Sequence, residues 1–97
     1  MILVVARLRI RPGAMTSMLA EVEALARLSR TQRGCHEYMY LLSPEDDDLL
    51  LFVERWEDQP SLAAHLASME MAAYRKTTAS LVAERSLSVF DAKDISL

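Results

Sequence analysis

Apolar residues crowd the start of the chain, where Ile2 to Ile10 (ILVVARLRI) is rich in Val and Ile and reads as a β-strand. Arg11, Pro12 and Gly13 then supply turn chemistry. Over residues 14–30 the period changes, because Met15, Met18, Leu19, Val22, Leu25, Ala26 and Ser29 recur at the spacing of one helix face. Glu21, Glu23, Arg27 and Arg30 fall outside that stripe, as on an amphipathic helix. Gly34 is placed to follow the helix C-terminus. Residues 35–42 and 48–56 read as two strands, joined into a β-hairpin by the polar segment 43–47. Asp58 is placed to cap another helix, with Pro60 tolerated in its first turn. Helices are predicted over 61–68 and 69–82, with Ser68 as a break or a second cap, and a last alternating strand over 85–91.

The order is β-α-β-β-α-β. Connection and handedness rules then favour an α+β, ferredoxin-like fold: a four-stranded antiparallel sheet with helices on one face. Such helices cover only one side of each strand. Ile2, Val4, Ala6, Leu8 and Ile10 share one face of the first strand, and Leu3 and Val5 the other, followed by Arg7 and Arg9. Leu49, Leu51 and Val53 oppose Leu50, Phe52 and Trp56 in the third strand, while Met39 and Leu41 oppose Tyr38, Tyr40 and Leu42 in the second. An antiparallel sheet with one free face is expected to be polar there. This one is apolar on both, which points to a homodimer packed sheet face to sheet face.

Composition adds to that picture. The chain has 97 residues, which suits one domain over 1–97, and 52% of them are apolar, a surplus consistent with burial against a second chain. The net charge of −3 gives no basic field for nucleic acid, and the early cluster of arginines suits a charged helix face and strand ends. Cys35 is the lone cysteine, so no intrachain disulfide forms. No leader pattern and no apolar run of membrane-spanning length is present, so a cytoplasmic, membrane-free protein is expected. The acidic run near Glu45 lacks the ligand spacing and central glycine of a calcium loop. Two histidines and one cysteine argue against a zinc or iron site; His36 and Cys35, adjacent in a strand, point to opposite faces. Cys35 has no evident base and suits packing, as do Met15, Met18, Met69 and Met71.

Four segments taken in order, VVARLRIRPG, GCHEY, FVERWED and AAHLAS, resemble the antibiotic biosynthesis monooxygenase family over about residues 2 to 91. The resemblance implies a dimeric ferredoxin-like α+β barrel. It also implies a pocket between sheet and helices, and in some members oxidation of quinols and polycyclic phenols by O₂ without metal or flavin. Other members degrade haem or isomerise small molecules.

His65 matches the family's histidine position and is the candidate catalytic base, since imidazole titrates near neutral pH. Trp56, Phe52, Glu54, Tyr74, Val4 and Ala6 are the candidate substrate-binding residues that the resemblance implies around it. Core packing is the competing role for Trp56, and an ion pair with an arginine the expected alternative for Glu54. The second family histidine is replaced by Glu70. The positions that haem-degrading members fill with Asn, Trp and a ligating His hold Ala6, His65 and Arg75, which disfavours haem. The expected function is a cofactor-independent monooxygenase acting on a small phenolic, quinol or polycyclic aromatic substrate with O₂. The alternatives are a non-catalytic, ligand-binding or stress-related dimeric domain and an isomerase using the same pocket.

Overall fold

The computed structural model describes residues 1–97. Its elements are β1 (Ile2–Ile10), α1 (Met15–Ser29), β2 (Cys35–Ser43), β3 (Asp46–Trp56), α2 (Gln59–Leu66), α3 (Met69–Thr78) and β4 (Val82–Asp91). The four strands form one antiparallel sheet in the order β2-β3-β1-β4, the α+β arrangement that the element order predicts.

The predicted helix stripe is the buried one: Met18, Val22, Leu25, Ala26 and Ser29 of α1 pack down on the sheet. There they meet Ile2, Val4, Leu8 and Ile10 of β1 and Leu50, Phe52 and Trp56 of β3. Each large apolar side chain so buried contributes about 1.5–3 kcal/mol. Asp58 accepts the Ser61 amide at 2.9 Å, so α2 begins where its cap and Pro60 allow. Ser68 does two jobs between the helices. Its hydroxyl donates to the His65 carbonyl at 2.7 Å and accepts the Met71 amide at 3.2 Å, ending one helix and capping the next.

Several boundaries differ from expectation. The hairpin turn is shorter, because Asp46 belongs to β3. Its carboxylate takes the Arg9 guanidinium at 3.0 Å and the Asp48 amide at 3.0 Å, which offsets the charge of the acidic run inside a strand. Helix α3 stops at Thr78 rather than at 82. The Leu81 amide turns back to the Thr78 carbonyl, and Val82 pairs with Ile10, so β4 starts earlier than predicted. Gly34 does not follow the helix directly. It lies in the turn from Gln32 to Cys35 at φ +81°, where any Cβ would run into the Ser61 side chain at the start of α2. Met69 is a surface residue rather than core, being 86% exposed at the first position of α3.

The helices cover β2, β3 and β1 and leave β4 bare. Leu87 and Val89 pair with Ala6 and Val4, so they face the helix side, yet both remain exposed. On the opposite side of the sheet no element covers Leu3, Val5, Met39, Leu41, Leu49, Leu51, Val53 or Phe90. No helix is long and apolar enough to cross a membrane.

Candidate active site

Strand alternation brings the candidate residues together. Tyr38, Glu54, Val4 and Val89 stand in one cross-strand row on the helix side, and Tyr40, Phe52, Ala6 and Leu87 in the next. Helices α2 and α3 lie above these rows. A cavity of about 130 Å³ is left between, lined by both rows' central residues and by Leu62, His65, Met71 and Tyr74 from the helices. Its open side faces the uncovered β4, where Arg85, Ser86 and Leu87 form the edge.

His65 is 2% exposed, so its imidazole is almost wholly out of water. Its Nδ1 lies 2.7 Å from the side-chain oxygen of Gln32. An amide oxygen only accepts, so Nδ1 carries the proton and Nε2 keeps its lone pair. That Nε2 is 3.9 Å from Glu54 Oε1. The Trp56 indole N–H donates to the same carboxylate oxygen at 2.9 Å, and the Trp56 ring lies against the imidazole with centroids 4.6 Å apart. Tyr38 meets His65 edge-on at 5.5 Å and Phe52 at 5.8 Å, so the imidazole sits between Trp56 and Tyr38, with Phe52 behind Tyr38.

Burial sets the proton affinities. It pushes the Glu54 carboxyl up to about 7, against the opposing hydrogen bond from Trp56. Burial, then the positive charge of Arg75, pulls His65 down to about 4, while Glu70 acts the other way. The Tyr74 phenol is raised by burial to about 12, and Tyr38 is raised as well. Near neutral pH the site therefore holds a neutral imidazole with a free lone pair beside a carboxyl that burial makes hold its proton more tightly than an exposed one.

Of the sequence candidates, His65, Phe52, Glu54, Tyr74, Val4 and Ala6 all border the cavity. Trp56 does not. It is fully buried behind His65 and Glu54, and its ring face takes the imidazole. Glu54 has no arginine partner; its contacts are the Trp56 indole and the histidine. Cys35 is half-buried at the edge of the core, with burial raising its thiol pKa. His36 turns outward to an ion pair with Glu57. Sequence reasoning missed Gln32, Tyr38, Arg75 and Arg85. Tyr38 had a signal in its strand phase with Glu54, whereas Gln32 sits in a turn with nothing to mark it. No cluster of three or more His, Cys, Asp or Glu side chains is placed to hold a metal ion.

Comparison with known proteins adds the family. The profile described as antibiotic biosynthesis monooxygenase matches residues 1–77. The chain belongs to that family. No curated protein matches it. Among solved structures, Rv0793 from Mycobacterium tuberculosis is 25% identical with a TM-score of 0.89, the alignment covering 99% of this chain and 98% of the other. An antibiotic biosynthesis monooxygenase of known structure is 22% identical with a TM-score of 0.89, over 97% of this chain and all of its own. A conserved protein from Methanosarcina mazei Go1 has the same identity and TM-score, covering 95% and 92% of the two chains. These likenesses agree on the fold over nearly the full length. Family membership makes monooxygenase chemistry the family-level assignment for this antibiotic biosynthesis monooxygenase relative.

Proposed function

We propose that this protein is a cofactor-independent monooxygenase that oxidises a small phenol or quinol with O₂ in the cavity beneath α2 and α3. The observation that carries this reading is the buried Glu54–His65 pair opening onto an apolar cavity. Deprotonation is the step the protein must help. A phenol gives up an electron to O₂ far less readily than its phenolate does.

The substrate hydroxyl passes its proton to His65 Nε2, whose lone pair the Gln32 contact keeps available. The imidazolium so formed is stabilised by the Glu54 carboxylate, and the two groups titrate as a unit. The phenolate then gives one electron to O₂, and phenoxyl radical and superoxide combine at a ring carbon. The resulting peroxide regains a proton and loses water. One oxygen atom stays as a quinone carbonyl and the other leaves as water, so phenol plus O₂ balances to quinone plus water. Tyr38, Phe52 and the apolar wall desolvate the ring, and Trp56 holds Glu54 in place rather than stacking on substrate. A space of about 130 Å³ is close to the roughly 150 Å³ that takes one benzene ring, so one ring fits inside and a polycyclic substrate would have to extend past β4.

The same reading includes a homodimer through the free sheet face, supported by the uncovered Leu3, Val5, Leu41, Leu51 and Val53. An acid–base pair of this kind would also serve an isomerase. O₂ electrode measurements with a panel of one-ring quinols separate the two. Uptake above autoxidation by metal-free protein, lost in His65→Ala, is expected. Uptake equal to autoxidation, unchanged by that substitution, contradicts the oxidative reading.

A further inference from the structure

The wall of the cavity is apolar except at two ends. The inner end holds Glu54 and His65. The outer end holds two arginines, Arg75 on α3 and Arg85 on β4. Arg85 pairs with Leu8 across the β1–β4 ladder, so it emerges on the helix side of the sheet, at the edge of the cavity. Neither arginine has an ion-pair partner in the chain, unlike the N-terminus, Arg9 and Arg27, each of which meets a carboxylate.

Nearby carboxylates do not complete the mouth. Glu84 lies on the other face of β4, where its charge acts on Arg9; Arg85 borders the same cleft but forms no ion pair with it. Glu70 is close enough to influence His65 but does not line the cavity. Arg75 lines the cavity, and its charge is likewise felt at His65. A monomeric fold gains nothing evident from two unpaired guanidinium groups around an apolar opening. An anionic ligand would fill that gap.

Resting on the proposed pocket chemistry, we propose that the substrate is a one-ring hydroxyaromatic acid, held by its carboxylate at Arg75 and Arg85 with its phenolic hydroxyl directed inward to His65 and Glu54. The guanidinium fork matches a carboxylate in two-point geometry. Placing the anion at the mouth keeps it hydrated and spares the buried Glu54 a like charge. It also fixes which end of the ring enters, so that the hydroxyl rather than the carboxylate meets the base. The small cavity sets the ring count, and the two charged ends set the polarity of the ligand.

Trp56 is the chain's single tryptophan and touches both His65 and Glu54, so its fluorescence reports occupancy. The test titrates para-hydroxybenzoate and its neutral methyl ester, equal in ring and hydroxyl and differing in charge. The acid is expected to bind about tenfold or more tightly than the ester at low salt. In the double variant Arg75→Gln with Arg85→Gln, that ratio falls to about one, whereas Arg75→Lys with Arg85→Lys retains part of it. Equal affinity for acid and ester in the unaltered protein overturns the anion proposal while leaving the pocket reading standing. Failure of both to bind removes the pocket reading, and the proposal with it.

Discussion

Glu54 keeps a carboxyl group where water is scarce, and the consequence is a stability that depends on pH. Its folded value near 7 lies above the ordinary 4.5. Between those values the folded chain holds a proton that the unfolded chain has released, so stability falls as pH rises through the window, by about 3 kcal/mol in all. His65 works in the opposite sense. Its folded value near 4 lies below 6.5, so over that range the unfolded chain binds the extra proton and stability rises with pH. The two offsets largely cancel between pH 4.5 and 6.5. Glu54→Gln keeps the acceptor for the Trp56 indole and removes one side of the balance. Urea unfolding across pH should show the variant equal to the parent near pH 4 and more stable by about 3 kcal/mol above pH 8. A difference that does not grow with pH would show that Glu54 is not buried as a neutral acid. Gly34 is a second residue-scale case: at φ +81° and against Ser61, Gly34→Ala should cost about 1–3 kcal/mol in the same assay.

At the scale of elements, the chain is most legible where one local signal suffices. The β1 run and the α1 stripe appear at their predicted positions because both are long, strongly patterned and bounded by turn residues. The end of α3 was not legible. Ala79, Ser80, Leu81 and Val82 are compatible with a helix, and what stops it is a distant partner, Ile10 of β1. The extra length of β3 was hidden similarly, since Asp46 is tolerated in a strand through Arg9, 37 residues away. The site follows the same rule. Phe52 and Glu54 could be placed on one face by the period of two, and His65 by the helix period. Gln32, 33 residues from His65, could not. Ser68 offers an element-scale test, because it joins α2 to α3 through both of its hydrogen bonds. Ser68→Ala should lower unfolding stability by about 1 kcal/mol. No change would mean that the interhelical turn is held by packing alone.

For the whole molecule, the decisive feature is a sheet with two apolar faces and helices for only one. Leu41, Leu51 and Arg7 form one row across the free face, and Met39, Val53 and Val5 the next. A second copy packed there would dry these rows and leave the cavity on the helix side, with its mouth at β4, accessible to substrate. Sedimentation velocity at micromolar concentration should give a dimer, and Leu51→Glu, which sets a charge in the middle of the face, a monomer. A monomeric parent would exclude the sheet-to-sheet assembly. The cavity and the free face lie on opposite sides of one sheet, so the proposed association would leave the proposed chemistry untouched.

In the proposed reaction, the link between the fold and its chemistry is the proton taken by the Glu54–His65 pair. The most direct measurement is the pH dependence of O₂ uptake at saturating one-ring quinol, for the parent and for Glu54→Gln. The parent rate should rise with an apparent pKa near 7, the value burial gives Glu54. The variant should lose that limb and fall about 10²–10⁴-fold, the range associated with general base assistance. An unchanged profile in Glu54→Gln, or no uptake above autoxidation at any pH, would contradict the assignment.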